Sequence, residues 1–170
     1  MEKGVAGITM GDIARKAKMA TGTLYIYFKN KEDLVNALFV TCRASSVSIY
    51  FTGYDPGATF KESFKTIWMN IVRHRVEHFE EAVFLEQCYH SPFIAEGNKE
   101  TSKQLLQPLF TLMDRGKKEK IIKDADTILL LTFMVGSINE IVKYTHYHKR
   151  TLSKAMIQTA FDMCWNGLSK

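Results

Sequence analysis

The chain has 170 residues, 46% of them hydrophobic, with 3 prolines and 10 glycines. That much apolar content buries a core and argues against disorder, and so little turn chemistry argues against a many-stranded β protein. A formal net charge of +5 and a pI near 9.0 suit an anionic partner without naming one.

The charge is uneven. Residues 1–50 hold 7 Lys/Arg against 4 Asp/Glu, and between Thr9 and Lys31 the ratio is 5 to 1. Cys42, Cys88 and Cys164 are odd in number and widely spaced, with no C-x-x-C pair, which fits a reducing compartment and not a disulfide framework. The opening MEKGVAGITM lacks the apolar run of a secretion signal. The longest uncharged apolar stretch, Thr127 to Asn139, has 13 residues, against the about 20 needed for a membrane span. A soluble, cytoplasmic protein with no membrane attachment is expected.

Turn signals divide the chain into helical blocks. Thr9, with Asp12 three residues on, resembles a capping box and opens a helix of about two turns that carries Ile13, Ala14 and Ala17. After the break KMATG, a second short block, TGTLYIYF, pairs Leu24 with Phe28 at i, i+4. The next helix is predicted from Lys31 to Phe51, with Leu34, Val35, Leu38 and Phe39 on its stripe.

Asp55 and Pro56 read as N-cap and N1 of a helix ending near His78, whose apolar face holds Phe60, Phe64, Ile67, Trp68, Ile71 and Val72. Further helices are predicted over 80–90 and over 99–115, the latter stopped by Gly116. Asp124 is the expected cap of a very apolar helix over 125–146. A last helix follows over 152–168, with a stripe of Leu152, Met156, Thr159, Ala160, Met163 and Cys164. No segment alternates with period 2, so the fold class is all-α.

Two short helices separated by about four residues, in the basic third of the chain, have helix-turn-helix spacing. If Leu24 and Phe28 face inward, then Thr21, Gly22, Thr23, Tyr25, Ile26 and Tyr27 face outward. Small residues allow close approach to a groove, and Thr and Tyr hydroxyls can bond phosphate oxygens. Ile26 can meet a thymine methyl group, and Lys31 adds charge at the start of the next helix. The same spacing also suits a plain helical hairpin with packed tyrosines.

The wording of residues 8–39, ITMGDIARKAKMATGTLYIYFKNKEDLVNALF, resembles the DNA-binding head of TetR-family transcriptional regulators. The matching elements are Thr9, the Ile13–Ala14 pair, Gly22 to Phe28, and Lys31–Glu32 with Leu34. By position, the resemblance implies DNA contacts at Thr9, Thr21, Gly22, Thr23, Tyr25, Tyr27 and Lys31, and a core role for Leu24 and Phe28. It implies a helix-turn-helix domain over 1–45 and a helical effector-binding and dimerisation domain over 46–170. Lys18 stands where the family usually has glycine, and Ala20 where it has a serine or threonine cap. The resemblance also implies a complete helix ahead of residues 2–4, of which this chain begins at the last turn. A weakened head is therefore expected, with Leu34 and Leu38 uncovered.

The implied function is a ligand-responsive DNA-binding regulator, a repressor released from its operator by a small-molecule effector. The implied partners are double-stranded DNA with a palindromic operator, an unknown effector, and a second copy of the chain. The nearly all-apolar run TILLLTFMVGSINEIV independently suggests a shared interface, so dimerisation is expected through helices 125–146 and 152–168. Phe64, Trp68, Phe84, Cys88, Tyr89, Phe110, Met113 and Phe133 are candidates for an adaptable apolar pocket, or are simply core.

His74, Glu77 and His78 match H-x-x-E-H, a pattern of some zinc peptidases, but in a charge-dense segment that reads as a solvated helix end. No phosphate-binding loop, dinucleotide fingerprint or G-x-S-x-G occurs, so no cofactor and no enzyme activity are expected. The alternatives are a helical dimeric sensor that has lost DNA binding, and a zinc-dependent hydrolase built on the histidine pair.

Overall fold

The computed structural model describes residues 4–89 and 91–170. Its helices are α1 Gly4–Gly7, α2 Met10–Lys16, α3 Thr21–Tyr27, α4 Lys31–Tyr50, α5 Phe60–Glu77, α6 Phe79–Tyr89, α7 Glu96–Lys118, α8 Thr127–Tyr147 and α9 Lys154–Leu168. Among the described residues, β pairing is limited to one isolated bridge between Ile122 and Ser169, so the protein is all-α as expected. The predicted end of the sixth helix, His90, lies outside the described residues.

The chain divides into two compact units. The first comprises residues 1–45 and 80–105. In it, Met10, Ala14 and Leu24 form a small buried cluster, with Ile13, Phe28 and Leu34 packed against it. Ala17, expected on that face, is instead the exposed C-cap of α2. A second cluster joins Val35, Phe39, Leu85, Cys88 and Ile94. The α4 stripe therefore centres on Val35 and Phe39, and Leu38 is 43% exposed. Asn36 ties α4 to the loop after α6. Its amide donates to the Glu32 and Phe93 carbonyls (2.8 and 2.9 Å), and its Oδ1 accepts from Ala95 N–H and Asn98 Nδ2 (2.9 and 2.7 Å).

The second unit comprises residues 46–79 and 106–170. All six predicted apolar positions of α5 are buried. They meet α9 through an aromatic cluster: Phe64 lies 6.2 Å from Phe161 and 5.7 Å from Trp165, and Trp68 lies edge-on 5.5 Å from Phe161. The chain end is tied back by Lys123 N–H donating to the Leu168 carbonyl (2.8 Å) and Lys170 N–H donating to the Ile121 carbonyl (3.1 Å).

Four expected boundaries differ, three for a local reason and one through a distant contact. Asp55 does not cap α5: its Oδ1 accepts the Gly57 N–H (2.8 Å) in a turn. The cap is Thr59, which forms a capping box with Glu62. The α8 cap is Asp126, whose carboxylate accepts Leu129 N–H (3.0 Å), and not Asp124. Ser153 caps α9, which begins two residues later than Leu152. Gly116 does not stop α7, which continues through it to Lys118. A side chain at 116 would overlap the fully buried Phe60 ring, so glycine is there for close packing. The face of α9 is also corrected: Phe161, Cys164 and Leu168 are buried, whereas Met156, Thr159 and Met163 are exposed.

Three helices end on a lysine in the left-handed conformation: Lys18 (φ 54°), Lys120 (φ 59°) and Lys149 (φ 51°). In each case the following N–H reaches back five residues, Met19 to Ala14, Ile121 to Gly116 and Arg150 to Thr145 (3.0, 3.0 and 2.8 Å). These are Schellman turns, closed by hydrogen bonds where glycine is usual.

Gly116→Ala is expected to destabilise the protein by about 1–3 kcal/mol through overpacking against Phe60, read as a lower urea midpoint at unchanged slope.

Candidate nucleic-acid interface

The α2–α3 pair is built from local signals. Thr9 opens α2: its Oγ1 accepts Asp12 N–H (3.1 Å), while its own N–H and hydroxyl both donate to Asp12 Oδ2 (3.1 and 2.7 Å). Those hydrogen bonds, more than the neighbouring Arg15 guanidinium at 2.6 Å, hold the Asp12 carboxyl below the usual carboxylate range. α2 ends at Lys18, and α3 starts on Ala20, which offers no side-chain cap bond.

A seven-residue helix has no stability of its own. α3 is held through Leu24, its one buried residue, on Met10 and Ala14 of α2. The small Ala14, 1% exposed, lets the two helices approach. With Leu24 fixed, the rest of α3 is turned outward. Tyr25, Ile26 and Tyr27 are 54%, 77% and 74% exposed and stand side by side on the surface. Thr9, Thr21 and Gly22 are exposed as well, and Thr23 is half-buried. Arg15, Lys16, Lys18 and Lys29 are exposed around them, so the face is positive.

Lys31 is placed differently from its neighbours. Its ammonium donates to the Val5 and Ala6 carbonyls (3.3 and 2.8 Å) and lies 5.4 Å from the centre of the Phe93 ring. It holds α1 to the start of α4. Asn30 opens α4 by accepting the Asp33 N–H (2.8 Å).

The eight pocket candidates divide between the two units. Phe84, Cys88 and Tyr89 belong to the first unit, where Cys88 is buried beside Phe84 and Tyr89 is exposed. Burial pushes the Cys88 thiol up to about 11, with Cys42 nearby adding to the shift. In the second unit, Phe64, Trp68 and Met113 are core, Phe110 is half-buried and Phe133 is 47% exposed. A recess of about 10 Å³, room for about one water, lies where Trp68 and Val72 of α5 meet Ile138, Ile141 and Val142 of α8 and Ile157 of α9. Of the eight candidates only Trp68 lines it.

Against the expectation of a solvated helix end, His74 of the H-x-x-E-H segment is buried, while Glu77 and His78 are exposed. The His74 ring lies edge-on to Tyr50 at 5.4 Å and 5.0 Å from His78. Among the described residues, no third imidazole, thiol or carboxylate joins them in a cluster that could hold a metal ion.

Residues 1–38 match the family model for bacterial regulatory proteins of the tetR family, and residues 47–170 match that for the tetracyclin repressor-like C-terminal domain. The chain belongs to the TetR family of transcriptional regulators. An uncharacterised HTH-type transcriptional regulator of Haemophilus influenzae is 29% identical over 69 residues, which are 41% of this chain and 37% of that protein. Among solved structures, a TetR-family regulator from Marinobacter aquaeolei VT8 superimposes with a TM-score of 0.86 at 25% identity, covering 96% of this chain and 85% of that one. The transcriptional regulator FadR from Bacillus subtilis, in complex with stearoyl-CoA, gives 0.73 at 20% identity, covering 98% and 91%.

Leu24→Ala is expected to cost about 2–5 kcal/mol and to release α3, lowering the helical signal of the head in hydrogen exchange before the body opens. Lys18→Gly is expected to do the reverse, raising stability by about 0.5–1 kcal/mol in urea titration, because it relieves the left-handed lysine.

Proposed function

We infer that the chain is an effector-responsive DNA-binding regulator, a repressor that acts as a homodimer. The observation that carries this reading is the exposed Tyr25–Ile26–Tyr27 face of a helix with no stability alone, set in a positive surround. α3 enters the major groove. Thr9, Thr21, Thr23, Tyr25 and Tyr27 grip phosphates, Gly22 permits close approach, and Ile26 meets a thymine methyl. Lys31 contributes through the anchorage of α1 and α4 and through its charge.

One such head reads too few base pairs for a unique site, so a dimer on a two-fold operator follows. α8 and α9 supply the surface. α8 exposes Ile128, Leu129, Phe133, Tyr144 and Tyr147, and α9 exposes Met156 and Met163. α8 is also long and apolar enough to cross a membrane by length and composition, with 28% of its apolar window buried inside the chain. A second copy, packed across a two-fold axis, covers that face. The stearoyl-CoA held by Bacillus subtilis FadR supports an effector site in the body. An effector that binds better to dimers whose heads do not fit the operator spacing lowers DNA affinity by that difference.

Selection from random DNA duplexes tests the reading. A palindrome with two half-sites is expected, and its failure to emerge overturns the proposal. On the enriched site, affinity should fall steeply as salt rises, because each phosphate contact releases a counterion. Replacing the critical thymine by deoxyuracil removes one methyl contact, worth about 0.8 kcal/mol or roughly fourfold in Kd. Ile26→Ala should be indifferent to that base change, whereas wild type should not.

A further inference from the structure

Arg75 is a charged residue on the otherwise largely apolar buried face of α5. It follows Ile71 and Val72 by four and three residues and is 8% exposed. Its Nε is buried with no hydrogen-bond partner among the described residues. Arginine is almost never this buried unless paired, because an uncompensated guanidinium is costly to take out of water.

The surroundings within its unit supply no counter-charge. Arg75 lies in a stretch of chain that meets α8 on both sides. Before it, Val72 faces Ile138, Ile141 and Val142, and after it Phe79 stacks on His146 at 3.5 Å. Between those points α8 carries Lys143, Tyr144 and the buried Thr145, whose hydroxyl donates to the Ile141 and Val142 carbonyls of its own helix. Glu77 is exposed and, two residues on, lies off the Arg75 face. Glu140 of α8 is exposed and pairs with Lys143 at 2.6 Å. Asp162 of α9 accepts from Gln158 at 2.9 Å.

We propose that Arg75 is the anion-binding residue of an effector site between α5 and α8, and that it takes the carboxylate head of an amphipathic ligand whose chain lies along the apolar seam of Trp68, Val72 and Ile138. A carboxylate matches the planar guanidinium with two parallel hydrogen bonds and cancels its single charge. A phosphate dianion would leave a second buried charge uncompensated. The apolar recess one turn before Arg75 lies on that seam, and at about 10 Å³ it must widen to admit the chain. The proposal deepens the effector-responsive reading and rests on it for its regulatory meaning. Binding itself is measured without DNA, so the two fail separately.

The test is thermal unfolding of the purified full chain with hexanoate and decanoate, and with hexanol and decanol as uncharged controls. Decanoate should raise Tm by roughly 5 °C or more at concentrations on the order of 100 times its Kd, and should exceed decanol clearly. Arg75→Met should abolish the carboxylate shift while leaving Tm without ligand unchanged or higher, because it removes a buried charge that lacks a partner. Arg75→Lys keeps the charge without the fork and should weaken decanoate binding by about tenfold in calorimetry. The proposal is overturned if neither carboxylate shifts the wild-type protein, if decanol does as well as decanoate, or if Arg75→Met retains the shift. A marked loss of Tm in ligand-free Arg75→Met would likewise overturn it, by showing that the guanidinium already serves the fold.

Discussion

The contact of Leu24 with Met10 and Ala14 is the constraint on which the head depends. α3 is too short to persist by itself and starts without a cap, so its position is set from α2 through a single buried side chain. Once Leu24 is inside, helical geometry leaves Tyr25, Ile26 and Tyr27 no other direction than outward. Outward exposure is thus a by-product of anchorage. The exposed residues of α3 contribute little to holding the helix, and the residue that holds it is not exposed. Such a division lets the outward positions vary while the pair of helices stays the same.

The body follows another logic. Its core is aromatic and continuous, with Phe60, Phe64 and Trp68 of α5 against Phe161 and Trp165 of α9. Close packing there dictates even a glycine, Gly116, in mid-helix. α8 is apolar on two sides, one spent on α5 and α9 and the other left outward. A helix patterned in that way is only half satisfied by its own chain.

Much of the head was legible because its signals are local. The Thr9–Asp12 box and the inward Leu24 each follow from a few neighbouring residues, whereas the turn at Lys18 and the uncapped Ala20 stand out only against the family pattern. The errors arose where two local solutions compete or where a distant partner decides. Asp55–Pro56 and Thr59–Glu62 are both plausible helix starts. The first lost because the Asp55 carboxylate closes on Gly57. Gly116 reads as a stop until Phe60, more than fifty residues earlier, is seen to occupy its side-chain space. The face of α9 was misread because Met and Thr at helical spacing look like core when the aromatic cluster that actually selects Phe161 is not in view. Side-chain type, the signal behind the pocket candidates, carries no information about which unit a residue joins. The charge density around His74 and Arg75 reads as a solvated helix end, yet both residues are buried, because helical spacing carries them onto the face of Ile71 and Val72.

The three lysine-ended helices tie the stability of the fold to its charge. Each of these positions would be relaxed by glycine, and each glycine would remove one positive charge from a chain whose net charge is +5. Relaxing all three would give up more than half of that excess. A mutation that tightens the helix ends would thereby weaken the long-range attraction of the whole molecule for a polyanion. Helix-end stability and attraction for a polyanion therefore pull these same three residues in opposite directions.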